Sequence, residues 1–301
     1  MKKITLIALT FLYALNSYGQ TADYIIRHGK LIDGMGNQWQ YKDVAITKDK
    51  IVAIGNLQNW KGVREIDAKG LIISPGFIDV HGHIENAAIR NPLASNFIYD
   101  GVTTVITGNC GGSMEDLKKY FNSIDSVGVT INIGSLIGHN TIRKQVMGTA
   151  NRNATEQELI QMEQLAQQAM KEGAVGMSTG LIYIPGTYAP TSEIVRLAKV
   201  VSNNGGVYAS HIRYEEDKVV DAINEAINIG REANIPVEIS HFKVSGQNNW
   251  GRSKETIPLI INARKEGIDV TIDQYPYTAS STQLSVLLPD WVLADGQDSI
   301  M

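Results

Sequence analysis

The chain has 301 residues, of which 43% are hydrophobic and 19% charged, and its formal net charge is -4. These proportions allow a large buried core and exclude a disordered or fibrous chain. Acidic and basic side chains are interspersed without a basic stripe or a polybasic patch, so neither nucleic acid nor a charged membrane surface is an expected partner.

Residues 1–19 read as a signal peptide. Lys2 and Lys3 precede an apolar run that ends at Leu15, and Ser17 and Gly19 supply small residues ahead of a cleavage site before Gln20. The expected location is periplasmic or secreted, with no membrane association after signal removal, because no later apolar run reaches the length of a span. Export makes the lone cysteine informative. Cys110 has no internal disulfide partner and is free, paired between chains, or bound to something.

Residues 20–75 contain short strand-like runs at 24–27, 30–32, 43–47, 50–54 and 71–74, separated by glycines. They predict a small β-sandwich-like domain, incomplete by itself. From Gly76 the pattern becomes strand, loop and helix, repeating about every thirty residues as βα units do. Strands are predicted at 76–80, 103–107, 129–136, 175–178, 207–210, 237–240 and 270–273, short and apolar on both faces. Among the helices, 155–172 opens with a Thr155/Glu158 capping box and carries an apolar face of Leu159, Met162, Ala166 and Ala169. Seven such strands fit a TIM-like (β/α) barrel whose eighth unit is missing, or a doubly wound open sheet.

Chemistry-bearing residues favour the barrel because they fall at the ends of many strands. His81 and His83 follow the first strand one residue apart, so in extended backbone both imidazoles point the same way. Cys110 lies in a glycine-rich turn after the second strand, and His211 and His241 end the fifth and sixth. Thiolate with imidazole is a donor set for zinc rather than for magnesium or calcium. Bound zinc lowers the pKa of a water to about 7 and polarises a carbonyl, which points to hydrolysis. Asp79 reads as a carboxylate orienting the nearby histidines. His139 reads equally as a site residue or a structural loop histidine, His28 as a surface residue, and Tyr183 to Tyr188 as a loop over the pocket.

The stretch Gly76-Phe77-Ile78-Asp79-Val80-His81-Gly82-His83 resembles the first-strand signature of the amidohydrolase superfamily. Gly108-Asn109-Cys110-Gly111, Ser210-His211-Ile212-Arg213, Ile239-Ser240-His241-Phe242-Lys243 and the segment from Asp273 to Ala279 resemble its N-acyl-D-amino-acid deacylase branch. The resemblance covers essentially all of the chain after residue 19. It implies that residues 76–301 form a metal-dependent hydrolase barrel. It also implies a tightly held zinc on Cys110, His211 and His241, and a second, weaker position near His81 and His83 that shares Cys110. Lys243, Tyr275 and Ser281 are implied to bind the carboxylate of a small N-acylated amino acid. The general base of this family is an aspartate ending the eighth barrel strand. Asp290, Asp295 and Asp298 fall instead in the loop or helix after the seventh, so the base is expected beyond residue 301. Competing expectations are a related cyclic amidase or dipeptidase, and a metal-binding fragment without turnover.

Overall fold

The computed structural model describes residues 20–288 and Val292. The expected leader and Asp290, Asp295 and Asp298 lie outside the described residues. The chain divides into two compact units, Met1–Gly76 and Phe77–Met301.

In the first unit, strand β1 (Thr21–Leu31) is antiparallel to β2 (Gln40–Thr47), which is antiparallel to β3 (Lys50–Gly55). On its other side β1 runs parallel to β4 (Lys61–Asp67) and to the two-residue β5 (Ile72–Ile73). Among the described residues this unit is one mixed sheet. Ala22, Ile25, Ala45 and Leu57 form its small core. Strand β4 is absent from the sequence expectation because Lys-Gly-Val-Arg-Glu-Ile-Asp buries almost nothing. Pairing with β1 holds it, reinforced by a bidentate Arg27–Glu65 bridge with both contacts at 2.7 Å. His28 is exposed and pairs with Asp67 at 2.9 Å.

The second unit contains seven strands: β6 (Phe77–Asp79), β7 (Val102–Thr107), β8 (Asn132–Gly138), β9 (Gly176–Gly180), β10 (Val207–His211), β11 (Val237–Ile239) and β12 (Val270–Ile272). All adjacent pairs are parallel and the spatial order follows the chain order. With no reversal of strand order there is no switch point, which removes the doubly wound alternative. The sheet also curls, because His81 after β6 and Asp273 after β12 meet in a 2.8 Å hydrogen bond. Among the described residues, β6 and β12 each pair on one side only.

Between the strands lie helices α1 (Glu85–Arg90), α2 (Ser95–Tyr99), α3 (Leu117–Val127), α4 (His139–Met147), α5 (Glu156–Lys171), α6 (Thr191–Ser202), α7 (Val219–Ala233) and α8 (Ser253–Lys265). Helix α5 starts where the sequence predicts, with Thr155 and Glu158 capping one another reciprocally. Its Met162, Ala166 and Ala169 join Leu197 of α6, Ile223 of α7, and Ile137, Met177, Tyr208 and Ile239 of the strands in one continuous core. No helix of the described residues is long and apolar enough to cross a membrane.

Candidate metal centre

The C-terminal ends of the parallel strands gather the predicted ligands. Cys110 Sγ lies 3.5 Å from His81 Nε2, 3.6 Å from His211 Nδ1 and 3.8 Å from His241 Nε2. His81, His83 and Cys110 form one close group of donor atoms, and Cys110, His211 and His241 form another, with the thiol common to both. A tetrahedral zinc with bonds of about 2.3 Å to sulfur and about 2.0–2.1 Å to nitrogen separates its sulfur and nitrogen ligands by roughly 3.5 Å. The Cys110–His211 and Cys110–His241 spacings fit that figure. His211 Nδ1 and His241 Nε2 approach to 2.7 Å, the distance of an N–H···N hydrogen bond and shorter than the roughly 3.3 Å that two nitrogens keep on a tetrahedral zinc.

Backbone geometry delivers these atoms at a cost. Cys110 and His241 adopt φ of 52° and 38°, in the left-handed region that L-residues rarely occupy. The turn that carries Cys110 needs glycine on both sides. A Cβ on Gly108 would collide with the Leu136 carbonyl, and one on Gly111 with Asn140 and the Gly180 amide, at positive φ in each case. Buried Ser178 on β9 clamps the turn by accepting from Gly111 N at 3.0 Å and donating to Gly108 O at 2.5 Å. Asn109 secures it from the other side, donating to the carbonyls of Val80 and Ile106.

Carboxylates fix the ring orientations. Asp273 Oδ2 accepts from His81 Nδ1 at 2.8 Å, and its Oδ1 accepts from the His241 backbone N–H. Glu215 Oε1 lies 3.1 Å from His241 Nδ1 and 3.7 Å from His211 Nε2. The contacts at 2.8 and 3.1 Å turn Nε2 of His81 and of His241 toward Cys110, as metal-binding histidines require, whereas His211 Nε2 is buried with no hydrogen-bond partner among the described residues. This corrects the role expected of Asp79, which accepts from the His81 backbone N–H and not from a ring. Neither Glu215 nor Asp273 is assigned to the rings by the sequence reading. The usable signal for Glu215 is its position four residues after a candidate ligand.

Electrostatics match the donor set. Burial, with the charges of Asp273 and Glu215, pushes the Cys110 thiol up to about 12, so a bound cation is needed to hold it as thiolate. Burial pushes His211 down to about 3 and also lowers His83, leaving both rings neutral, as ligation demands. Burial alone would raise Glu215, but His241, His211 and Lys243 outweigh it and bring it to about 2. Below the centre, burial and the neighbouring Asp273 carboxylate raise Glu238. Asp273 is lowered: burial opposes this, but its bonds to His81 and Glu238 prevail.

Lys243, Tyr275 and Ser281 line a cavity of about 580 Å³ that also reaches His83, Cys110, His211 and His241. Lys243 Nζ donates to Glu215 Oε1 at 2.6 Å and stands 5.9 Å from the centre of the Tyr275 ring. Tyr183 and Thr187 of the expected loop border the same cavity, and the Tyr183 ring lies 4.9 Å from that of His211. His139 lies away from this group. It is fully buried, bonded through Nε2 to Glu193, which also holds Arg143 at 2.6 Å, so its role is structural.

Residues 64–243 match the profile of the amidohydrolase family. The chain belongs to that family. It is 38% identical to a D-aminoacylase of Alcaligenes xylosoxydans xylosoxydans over 94% of its length, and 37% identical to an N-acyl-D-aspartate deacylase of the same organism over 87%. It spans 63% and 57% of those two proteins. Among solved amidohydrolase structures, the N-acyl-D-glutamate deacylase of Bordetella bronchiseptica, complexed with zinc and a phosphonate mimic of the tetrahedral intermediate, superposes with a TM-score of 0.82 at 35% identity. That alignment covers 86% of this chain and 59% of the other.

Proposed function

We propose that the protein is a zinc-dependent deacylase that cleaves the amide bond of N-acyl-D-amino acids, releasing a carboxylate and a D-amino acid. The observation that carries this reading is the convergence of Cys110, His211 and His241 beside the ammonium of Lys243 within one cavity. Cys110, His211 and His241 would hold the tighter zinc, and His81 and His83 with Cys110 a weaker one. Zinc at such a site supplies an acidified water and a polarised carbonyl.

The remaining work falls to this chain's own groups. Lys243 donates to Glu215 Oε1 and to the His241 carbonyl at 3.3 Å; it also lies 3.1 Å from His241 Nδ1, which is no acceptor when its proton is given to Glu215. An ammonium has three donors, so one remains for the substrate α-carboxylate, with Tyr275 and Ser281 beside it. Glu215 therefore couples the two ends of the site, holding the His241 ring and Lys243 with the same oxygen. Both oxygens of Asp273 are engaged, so it is not the proton carrier. That role fits the family's aspartate beyond the seventh strand. The leader-like residues 1–19 support action in the periplasm or outside the cell.

The test is an assay of the full-length, zinc-loaded protein on N-acetyl-D-amino acids, their L-enantiomers and dihydropyrimidines. Release of amino acid from the D-series alone is expected. Turnover confined to L-compounds or to the cyclic amides would overturn the proposal.

A further inference from the structure

A second cavity of about 580 Å³ adjoins the metal centre on its other flank. It shares His83, Cys110, Tyr183 and Thr282 with the cavity that contains Lys243, so the centre sits at the junction of the two. The partition between them is polar: Tyr183 Oη and Thr282 Oγ1 are hydrogen-bonded at 2.9 Å. Asn140, which also borders the second cavity, anchors this partition by donating to the carbonyls of Gly180 and Tyr183.

The two chambers differ in the cations they offer. The first is lined by Lys243, Arg213 and Lys218, set among Glu215, Glu216 and Asp217. Among the described residues, the second has Glu85 as its charged side chain and no lysine or arginine. Met114 and Ile184 give it apolar wall, and Asn86 on α1 stands exposed at its margin. A scissile amide placed at the junction must send its two halves in different directions. The half with a free carboxylate belongs with the cations.

Resting on the deacylase reading above, we propose that the second chamber is the acyl subsite, and that it takes a neutral acyl group longer than acetyl. Its volume lies within the range of ordinary small-molecule pockets and well exceeds what a two-carbon group fills. The Glu85 carboxylate repels an acyl chain that ends in a second carboxylate, such as succinyl.

The experiment compares kcat/KM of the full-length protein for acetyl, hexanoyl and succinyl derivatives of one D-amino acid, and for acetyl derivatives of two D-amino acids. Hexanoyl is expected to match or exceed acetyl, and succinyl to fall at least tenfold below hexanoyl. Asn86→Trp fills the second chamber from an exposed position. It should lower the hexanoyl-to-acetyl ratio at least tenfold while leaving the ratio between the two amino acids unchanged. Tyr214→Ala, in the first chamber, should do the reverse. Saturation-transfer NMR of the neutral amide hexanamide gives a readout independent of turnover, and its signal should weaken in Asn86→Trp. An unchanged acyl ratio and an unchanged NMR signal in Asn86→Trp, with N-acyl-D-amino acids still hydrolysed, would overturn the subsite assignment alone. Failure of the parent protein to hydrolyse any of these compounds would overturn the deacylase reading with it.

Discussion

At the scale of single residues, the carboxylates behind the histidines decide how well the centre holds a metal. Glu215→Gln and Asp273→Asn each keep the side-chain shape but lose the charge that orients a ring. Each is expected to weaken zinc binding by about 10- to 100-fold, the usual effect of such partners, measured by competition with a chelating dye. Cys110, His81, His83, His211 and His241 were legible in the sequence because strand ends are where such barrels keep reactive groups. Glu215 and Asp273 were not, since ring orientation depends on χ angles and φ values, such as 38° at His241, that no spacing encodes. His139 shows the converse, a histidine at a strand end spent on packing. Its partner Glu193 gives a second prediction. Burial would raise that carboxyl, yet His139 and Arg143 hold it below its ordinary 4.5. A depressed folded pKa means stability that is present above 4.5 and lost as pH falls through the folded value. Breaking the pair with Glu193→Gln should cost about 3–5 kcal/mol near neutrality. The gap between wild type and variant should narrow in denaturant titrations run below pH 4.5.

Among the elements, the barrel strands were readable because burial on both faces gives unbroken apolar runs. Their ends were less so. β8 runs to Gly138 and β9 to Gly180, two residues beyond the limits predicted at 136 and 178. In β9 the polar Ser178 and Thr179 are fully buried; Thr179 bonds Tyr208 at 2.9 Å and Ser210 at 3.1 Å inside the barrel. Strand β4 escaped notice for the opposite reason, being held by backbone pairing rather than by an apolar face. Helix α5 was the clearest local signal. Removing its cap in Thr155→Ala should reduce stability by about 1 kcal/mol in chemical denaturation and leave zinc content unchanged.

For the whole molecule, the βα repeat in the sequence carried the barrel, and the small first unit was read only in outline. The candidate ligands are widely dispersed: Cys110 lies 101 residues from His211 and 131 from His241. An ion shared by these groups is therefore a reversible cross-link between distant chain segments, acting on the entropy of the unfolded chain as well as on the site. With free zinc at 100 times its dissociation constant, the folded state should gain about 2.7 kcal/mol, seen as a rise in Tm over the chelator-treated protein. The sheet's curl adds a local consequence, because among the described residues β6 and β12 each pair on one side only and their ends are joined through His81 and Asp273. Stripping the metal should then speed amide hydrogen exchange first in those two outer strands, while β8 and β9 at the centre stay protected. Such a gradient would make exchange rate a gauge of zinc occupancy.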